Sequence, residues 1–336
     1  MTKKRIYIAY TGGTIGMKAS KDGYIPVTGH LTQSIAAMPD FHREEMPAFT
    51  INEYQPLIDS SNMSPTDWQR IADDIKANYN DYDGFVVLHG TDTMAYTSSA
   101  LSFMFENLTK PIIVTGSQIP LTQLRSDGQV NLLDSLYIAA NYPIDEVGLY
   151  FNNKLFRGNR CIKVYADGFN AFDSPNMPPL LEAGISIKMV AGKLSQYKVK
   201  PLKLSQITPQ PIGVAHLYPG ISSELIANII QQPVKALIMR SYGVGNAPQD
   251  KGLMACLEKA YQQNIIVVNC SQCIKGTVNM DGYATGSWLS QIGVISGQDM
   301  TLEATLTKLH YLLSQQLTFK QTRELMQQDL RGELGT

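Results

Sequence analysis

Short apolar runs rich in β-branched residues recur through the first half of the chain. Each ends in small polar residues and hands over to helical spacing, and this alternation leaves few architectures open. Gly84-Phe-Val-Val-Leu-His89 is apolar almost throughout, the pattern of a strand covered on both faces. It opens into Gly90-Thr91-Asp92-Thr93-Met94, and a helix with Ala95, Ala100 and Leu101 follows. Arg5-Ile-Tyr-Ile-Ala-Tyr10 runs into Thr11-Gly-Gly-Thr-Ile-Gly16 in the same way, and residues 109–115 end in Gly116-Ser117-Gln118. Leu132, Leu133, Leu136 and Ala140 then place a helix over 129–141. Repeated strand, turn and helix mean βαβ units, so the fold class is α/β with a parallel sheet and right-handed crossovers. Ligands of such sheets bind at the carboxyl ends of the strands, where Thr14, Ser60, Thr91, Asp92 and Ser117 all fall.

The remaining segments fit around this sheet. Residues 18–28 are polar and turn-rich and read as a flap carrying Tyr24. Residues 49–58 read as extended and lead to Asp59-Ser60-Ser61-Asn62-Met63. Ser64 before Pro65, with Asp67 in the first turn, predicts a helix from about 65 to 78. Asn152-Asn153 between two β-rich runs predicts a hairpin whose second run, 154–165, carries Lys163. Gly192, Pro201, Pro209 and Pro211 mark 191–211 as a linker between a larger catalytic domain, 1–190, and a smaller α/β domain, 212–336. In the latter, strands are expected near 212–217, 236–240 and 265–269, with helices near 222–231, 249–262 and 301–314.

Composition narrows the function. The 336 residues suffice for two domains, and with 17% charged residues and a formal net charge of -1 the chain has no basic surplus for nucleic acid. The apolar run behind Lys3-Lys4-Arg5 ends within a few residues at Gly12-Gly13, too short for an export signal, and no run approaches the roughly 18 to 20 residues of a membrane span. Four cysteines with a single CxxC, and five histidines without HExxH, predict neither metal nor cofactor. The expected location is a reducing cytoplasm.

Gly12-Gly13-Thr14-Ile15-Gly16 matches neither nucleotide-binding glycine motif, because Thr11 stands where the first glycine would be. Two readings stay open: a tight turn that needs glycine, or a bend presenting Thr14 as a nucleophile. His89 to Met94 favours the second by adding Thr91 and Asp92 at a neighbouring strand end. An unpaired carboxylate there is costly to desolvate, so Asp92 calls for a cation, either Lys163 or the amino group of a ligand; it also suits a helix N-cap. Lys163 reads as a surface lysine or as the base for a threonine hydroxyl, and Tyr24 as surface packing or as a residue folded back over Thr14.

Tyr-Thr-Gly-Gly-Thr-Ile-Gly at 10–16 and His-Gly-Thr-Asp-Thr-Met at 89–94 resemble the two signature motifs of the bacterial-type L-asparaginases. Arg240-Ser-Tyr-Gly-Val-Gly-Asn246 extends the resemblance over essentially the whole chain, and the absent export signal resembles the cytoplasmic type I enzymes. The resemblance implies a larger amino-terminal α/β domain, a smaller flavodoxin-like one, and homodimers or dimers of dimers. It implies that Thr14 attacks the side-chain amide of L-asparagine to give a β-aspartyl ester and ammonia, and that water then releases aspartate. It assigns proton transfer to Thr91, Asp92 and Lys163, orientation of the nucleophile to Tyr24, and substrate binding to Asp59, Ser60, Ser61, Thr91 and Asp92. Ser117 is expected to help form the oxyanion hole through its backbone. Gly245-Asn246 resembles a pair that reaches a neighbouring subunit's active site, and Arg240, Asn246, Ser271 and Cys273 form a candidate effector site for a second asparagine. Two other readings share the motifs: the amidohydrolase module of a tRNA-dependent amidotransferase, whose chains are longer, and a non-catalytic amino-acid sensor, which would need neither Thr14 nor Lys163.

Overall fold

The computed structural model of the chain describes residues 3–21, 23–191, 200–231, 233–282 and 284–335. It divides into two compact units, Met1–Ser174 with Pro178–Ser205, and Pro175–Met177 with Gln206–Thr336. Of the stretch read as a linker, residues 192–199 lie outside the described residues, as does Asp22 in the flap. Lys203–Leu204 pairs antiparallel with Phe105–Glu106 inside the first unit.

The first unit is built on an eight-stranded sheet. Arg5–Tyr10 pairs in parallel with Ala48–Glu53 on one side and with Gly84–Leu88 on the other; Ile112–Thr115 and Val147–Phe151 continue the parallel order. Lys154–Arg157, Leu181–Ala183 and Ile187–Met189 extend it with antiparallel pairing. All five residues of Gly84–Leu88 are buried, as a strand covered on both faces requires. From Arg5–Tyr10 the chain moves first to one neighbouring position and then to the other. The carboxyl ends of Arg5–Tyr10 and Gly84–Leu88 therefore lie at a topological switch point, where such sheets bind ligands.

Helix Pro65–Asn78 forms as its sequence predicts: proline occupies the first turn, and the Asp67 carboxylate accepts hydrogen bonds from the Ser64 amide and hydroxyl at 2.9 and 2.6 Å. Met94–Met104 is buried at every residue but Tyr96. The flap is a two-stranded ribbon, Met17–Ser20 against Gly23–Pro26. The expected extended segment stops at Glu53, just before Gln55-Pro56, and proline offers no amide for a ladder.

One placement differs from expectation. Asn152 and Asn153 do make the hairpin turn, both with left-handed backbone (φ 47 and 64), but its second strand ends at Arg157. Lys163 lies instead on Ile162–Lys163, a separate short strand paired with Phe172–Asp173. The break falls at Gly158, where a Cβ would lie 2.9 Å from the Ser98 carbonyl oxygen and 3.0 Å from that of Val147. Gly158 still donates its amide to the Val147 carbonyl at 2.9 Å and accepts from the Ser98 hydroxyl of the buried helix at 2.9 Å, and beyond it the chain leaves the ladder.

The second unit has four parallel strands in sequential order, Ile212–His216, Ala236–Ser241, Ile266–Ser271 and Ile295–Ser296. Leu237, Met239, Leu257 and Leu289 belong to its apolar core. Asp250 caps helix Lys251–Gln262 and Thr301 caps Leu302–Leu313. Its last segment is held by a fully buried ion pair, Lys308 to Glu333 at 2.5 Å. The Lys308 ammonium also donates to the carbonyls of Met326 and Gln328, and Glu333 accepts from the amides of Leu330 and Arg331. Both charges are thus hydrogen-bonded as well as paired, the condition for burying them without a large penalty. Among the described residues no helix is long and apolar enough to cross a membrane.

Candidate active site

Three loops interlock at these strand ends through contacts that only glycine permits. Gly13 has a left-handed backbone (φ 93), and a Cβ there would lie 2.4 Å from the Gly90 amide nitrogen. A Cβ on Gly90 would in turn lie 2.4 Å from the Ser60 hydroxyl oxygen. Hydrogen bonds lock the same arrangement. Thr11 donates its amide and hydroxyl to the Leu88 carbonyl at 3.0 and 2.8 Å, Ile58 donates to Thr11 at 2.7 Å, and the Thr93 hydroxyl donates to the Ser60 carbonyl at 2.7 Å. The glycines of the first motif thus admit neighbouring loops, and by doing so they bring the Thr14, Ser60 and Thr91 loops into contact. Thr14 opens a 3-10 turn, Thr14–Gly16; it is half-buried, and among the described residues its hydroxyl has no hydrogen-bond partner.

Lys163 reaches this cluster from its own short strand. Its ammonium donates to the Thr91 hydroxyl at 2.9 Å and to Asp92 Oδ1 at 2.8 Å. Asp92 has therefore met the cation it called for. It does not cap the following helix, whose N-cap is Thr93. The Lys163 side chain is 19% exposed and that of Asp92 64%, so the lysine is sheltered while the carboxylate faces solvent. Asp92 Oδ2 takes no hydrogen bond among the described residues and can accept one from a ligand's ammonium.

The Thr91 loop is held from behind by His89, which is fully buried. Its Nδ1 lies 2.7 Å from the Gly90 carbonyl, which only accepts, so Nδ1 carries the proton. Nε2 then accepts from the Thr97 hydroxyl at 2.8 Å, and Thr97 accepts from the Trp68 indole at 3.1 Å. Burial pushes the imidazole down to about 4, against a smaller opposing effect of the Gly90 bond. The ring is neutral at ordinary pH and acts as scaffold.

Of the other expected site residues, Asp59 accepts from the Ser61 amide at 2.9 Å and so shapes the Ser60–Asn62 turn, in which Ser60 is buried and Ser61 exposed. The Ser117 hydroxyl donates to the Ile119 carbonyl at 2.6 Å. Tyr24 lies on the flap ribbon, half exposed, and makes no hydrogen bond among the described residues. In the second unit, Arg240 Nη2 donates to the carbonyls of Ser271 and Gln272 at 3.4 and 3.2 Å. The Ser271 hydroxyl accepts from the Cys273 amide at 3.0 Å and donates to the Gly243 carbonyl at 2.6 Å. Asn246 closes a backbone bridge with Tyr242 in the turn after the Arg240 strand.

Sequence reasoning passed over two residues. His89 looked like the last residue of an apolar strand. Gln118, directly after Ser117, accepts from the Thr91 hydroxyl at 3.0 Å; its place at the end of a third parallel strand was the available signal. Among the described residues no three His, Cys, Asp or Glu side chains cluster as metal ligands.

Fold and loops define an α/β protein whose site joins a hydroxyl turn, a lysine and a carboxylate at a topological switch point. A model of the N-terminal asparaginase domain matches residues 5–194, and one of the glutaminase/asparaginase C-terminal domain matches 211–326. The chain is 65% identical over 334 residues to L-asparaginase 1 of Escherichia coli strain K12, with 99% of each chain covered. It superposes on the crystal structure of L-asparaginase I from Vibrio cholerae with a TM-score of 0.95 at 62% identity, all of both chains being covered. On the thermostable L-asparaginase from Thermococcus kodakarensis the TM-score is 0.88 at 28% identity, with 99% of each covered. The chain belongs to the asparaginase family of amidohydrolases.

The neutral His89 has a measurable consequence. Its folded pKa lies below the ordinary 6.5, so the stability it contributes is complete above about pH 6.5 and is lost as pH falls toward 4, by about 3 kcal/mol at most. Urea unfolding of wild type and His89→Gln across this window should show the stability gap between them narrowing with acid; a constant gap would contradict the neutral, buried ring.

Proposed function

We propose that the protein hydrolyses L-asparagine to L-aspartate and ammonia through an ester on Thr14. The observation that carries this reading is the Lys163 amine, sheltered and within 2.9 Å of the Thr91 hydroxyl, on a loop packed against the Thr14 turn. In its neutral form the lysine accepts the Thr91 proton, and Thr91 in turn accepts that of Thr14. The Thr14 oxygen attacks the side-chain amide carbon, the C–N bond breaks, and the relayed proton leaves with ammonia. Water then attacks the ester, giving aspartate and restoring the Thr14 hydroxyl. Asp92 Oδ2 receives the substrate's ammonium; Asp59, Ser60 and Ser61 bind its α-amino and α-carboxylate groups. Ser117 lends backbone to the oxyanion, and Tyr24 closes with the flap to orient Thr14.

The larger unit is the catalytic domain in this reading. The protein works in the cytoplasm as a homodimer or dimer of dimers; none of its four cysteines, Cys161, Cys256, Cys270 and Cys273, is in a disulfide. Arg240, Asn246, Ser271 and Cys273 form a site for a second asparagine acting as effector. Support comes from Arg240, whose buried Nε has no partner among the described residues and is available to a carboxylate.

Purified protein given asparagine without tRNA should release ammonia, and Thr14→Ala should lose about 10²- to 10⁴-fold or more in rate. No release by wild type would refute the activity, and full activity in Thr14→Ala would refute the nucleophile. Initial rates should rise sigmoidally with asparagine and become hyperbolic in Arg240→Ala; hyperbolic rates in the wild type would remove the effector site.

A further inference from the structure

The Gln118 side chain bridges the proton-transfer pair to a loop that no role yet explains. Its Oε1 accepts from the Thr91 hydroxyl at 3.0 Å, while its Nε2 donates to the carbonyls of Gly168 and Ala166 at 3.1 and 3.3 Å. Two carbonyls at one end of the amide allow only the nitrogen there, so the oxygen must face Thr91. The backbone beneath is clamped as well. Asp127 accepts from the Gln118 amide with both oxygens, at 3.1 and 3.0 Å, and from the Ile119 amide at 3.1 Å. The Asn131 side chain ties the same carboxylate to the Gly116 carbonyl. A half-buried glutamine on a loop is thus held at both ends.

This geometry sets a direction. Thr91 has one hydroxyl hydrogen, and Gln118 takes it; the Thr91 lone pairs are left to face the Lys163 ammonium at 2.9 Å. Donation therefore runs from Lys163 to Thr91 to Gln118. For a neutral Lys163 to accept from Thr91, that hydrogen must swing away from Gln118. Gln118 consequently holds the Thr91 hydroxyl as an acceptor toward Lys163, and turning it into a donor costs about the worth of one hydrogen bond.

We propose that Gln118 is a positioning residue of the reaction, setting which way the Thr91 hydroxyl hydrogen points and docking, through the same amide, the loop that follows Lys163. The inference rests on the proposed reaction and deepens its proton-transfer step. The charged groups about the bridge are Asp92, paired with Lys163; Asp127, gripping the Gln118 backbone; Asp167, between the two carbonyls the amide caps; Asp173, on the strand paired with Ile162–Lys163; and Arg125, whose guanidinium lies over the Phe169 ring.

Two substitutions of matching size separate this from a purely structural role. Gln118→Met removes both acceptor and donor; Gln118→Glu removes the loop-docking donor but leaves an acceptor, now anionic. Both should lower kcat about 10- to 100-fold with smaller changes in KM, because the loop loses its anchor in each. Their pH–rate profiles should diverge. The rising limb of kcat should move toward acid in Gln118→Met and toward alkali in Gln118→Glu, because the acceptor that holds the Thr91 hydrogen is removed in one and made anionic in the other. If either chain fails to fold, Gln118→Leu and Gln118→Asp pose the same comparison. Unmoved limbs, or limbs that move in the same direction, would overturn the inference while wild-type turnover leaves the reaction standing; a wild type that releases no ammonia would overturn the reaction itself.

Discussion

The site depends on how closely backbone passes backbone at Gly13 and Gly90. Parallel strands in this sheet deliver their loops to one edge, but delivery alone leaves side chains several ångströms apart. With no Cβ on either residue, the turn bearing Thr14 settles directly on the loop bearing Thr91, and Ser60 fills the space behind Gly90. The hydrogen bonds from Thr11 to Leu88 and from Thr93 to Ser60 then satisfy buried polar groups that such an approach would otherwise strand. The apolar strands, the capped helix Pro65–Asn78 and the neutral His89 all serve to hold this contact in register.

On that platform the chemistry is a matter of polarity. Lys163 is sheltered and points at a hydroxyl; Asp92 shares the lysine yet remains open to solvent. Because Gln118 accepts from Thr91, the resting network is ordered from lysine to threonine to amide. In the proposed proton relay the hydroxyl has one defined orientation before substrate arrives, and a single rotation changes its role toward the lysine from acceptor to donor.

Much of this was legible in the sequence, and the exceptions have physical causes. Alternating strand and helix patterns predicted the sheet, because burial on both faces leaves an unmistakable apolar run at 84–88. Ser64-Pro65-Thr66-Asp67 announced its helix through capping chemistry, which is local. Lys163 was expected on the hairpin after Asn153 and lies on a separate strand, since the break at Gly158 comes from packing against Ser98, which is distant in sequence. Lys308 and Glu333 likewise pair across distant segments. Gln118 escaped notice because an amide carries no motif; its meaning comes from the three loops it touches. The 65% identity to L-asparaginase 1 of Escherichia coli shows the family that the two threonine motifs suggested.

The central claim is that the Thr14 oxygen carries the acyl group. Rapid acid quenching of the protein during turnover of asparagine, followed by mass spectrometry of its peptides, tests this directly. A mass increase of one aspartyl group is expected on the peptide containing Thr14, absent in Thr14→Ala. An adduct on the peptide containing Thr91, or turnover with no adduct at any residue, would contradict it.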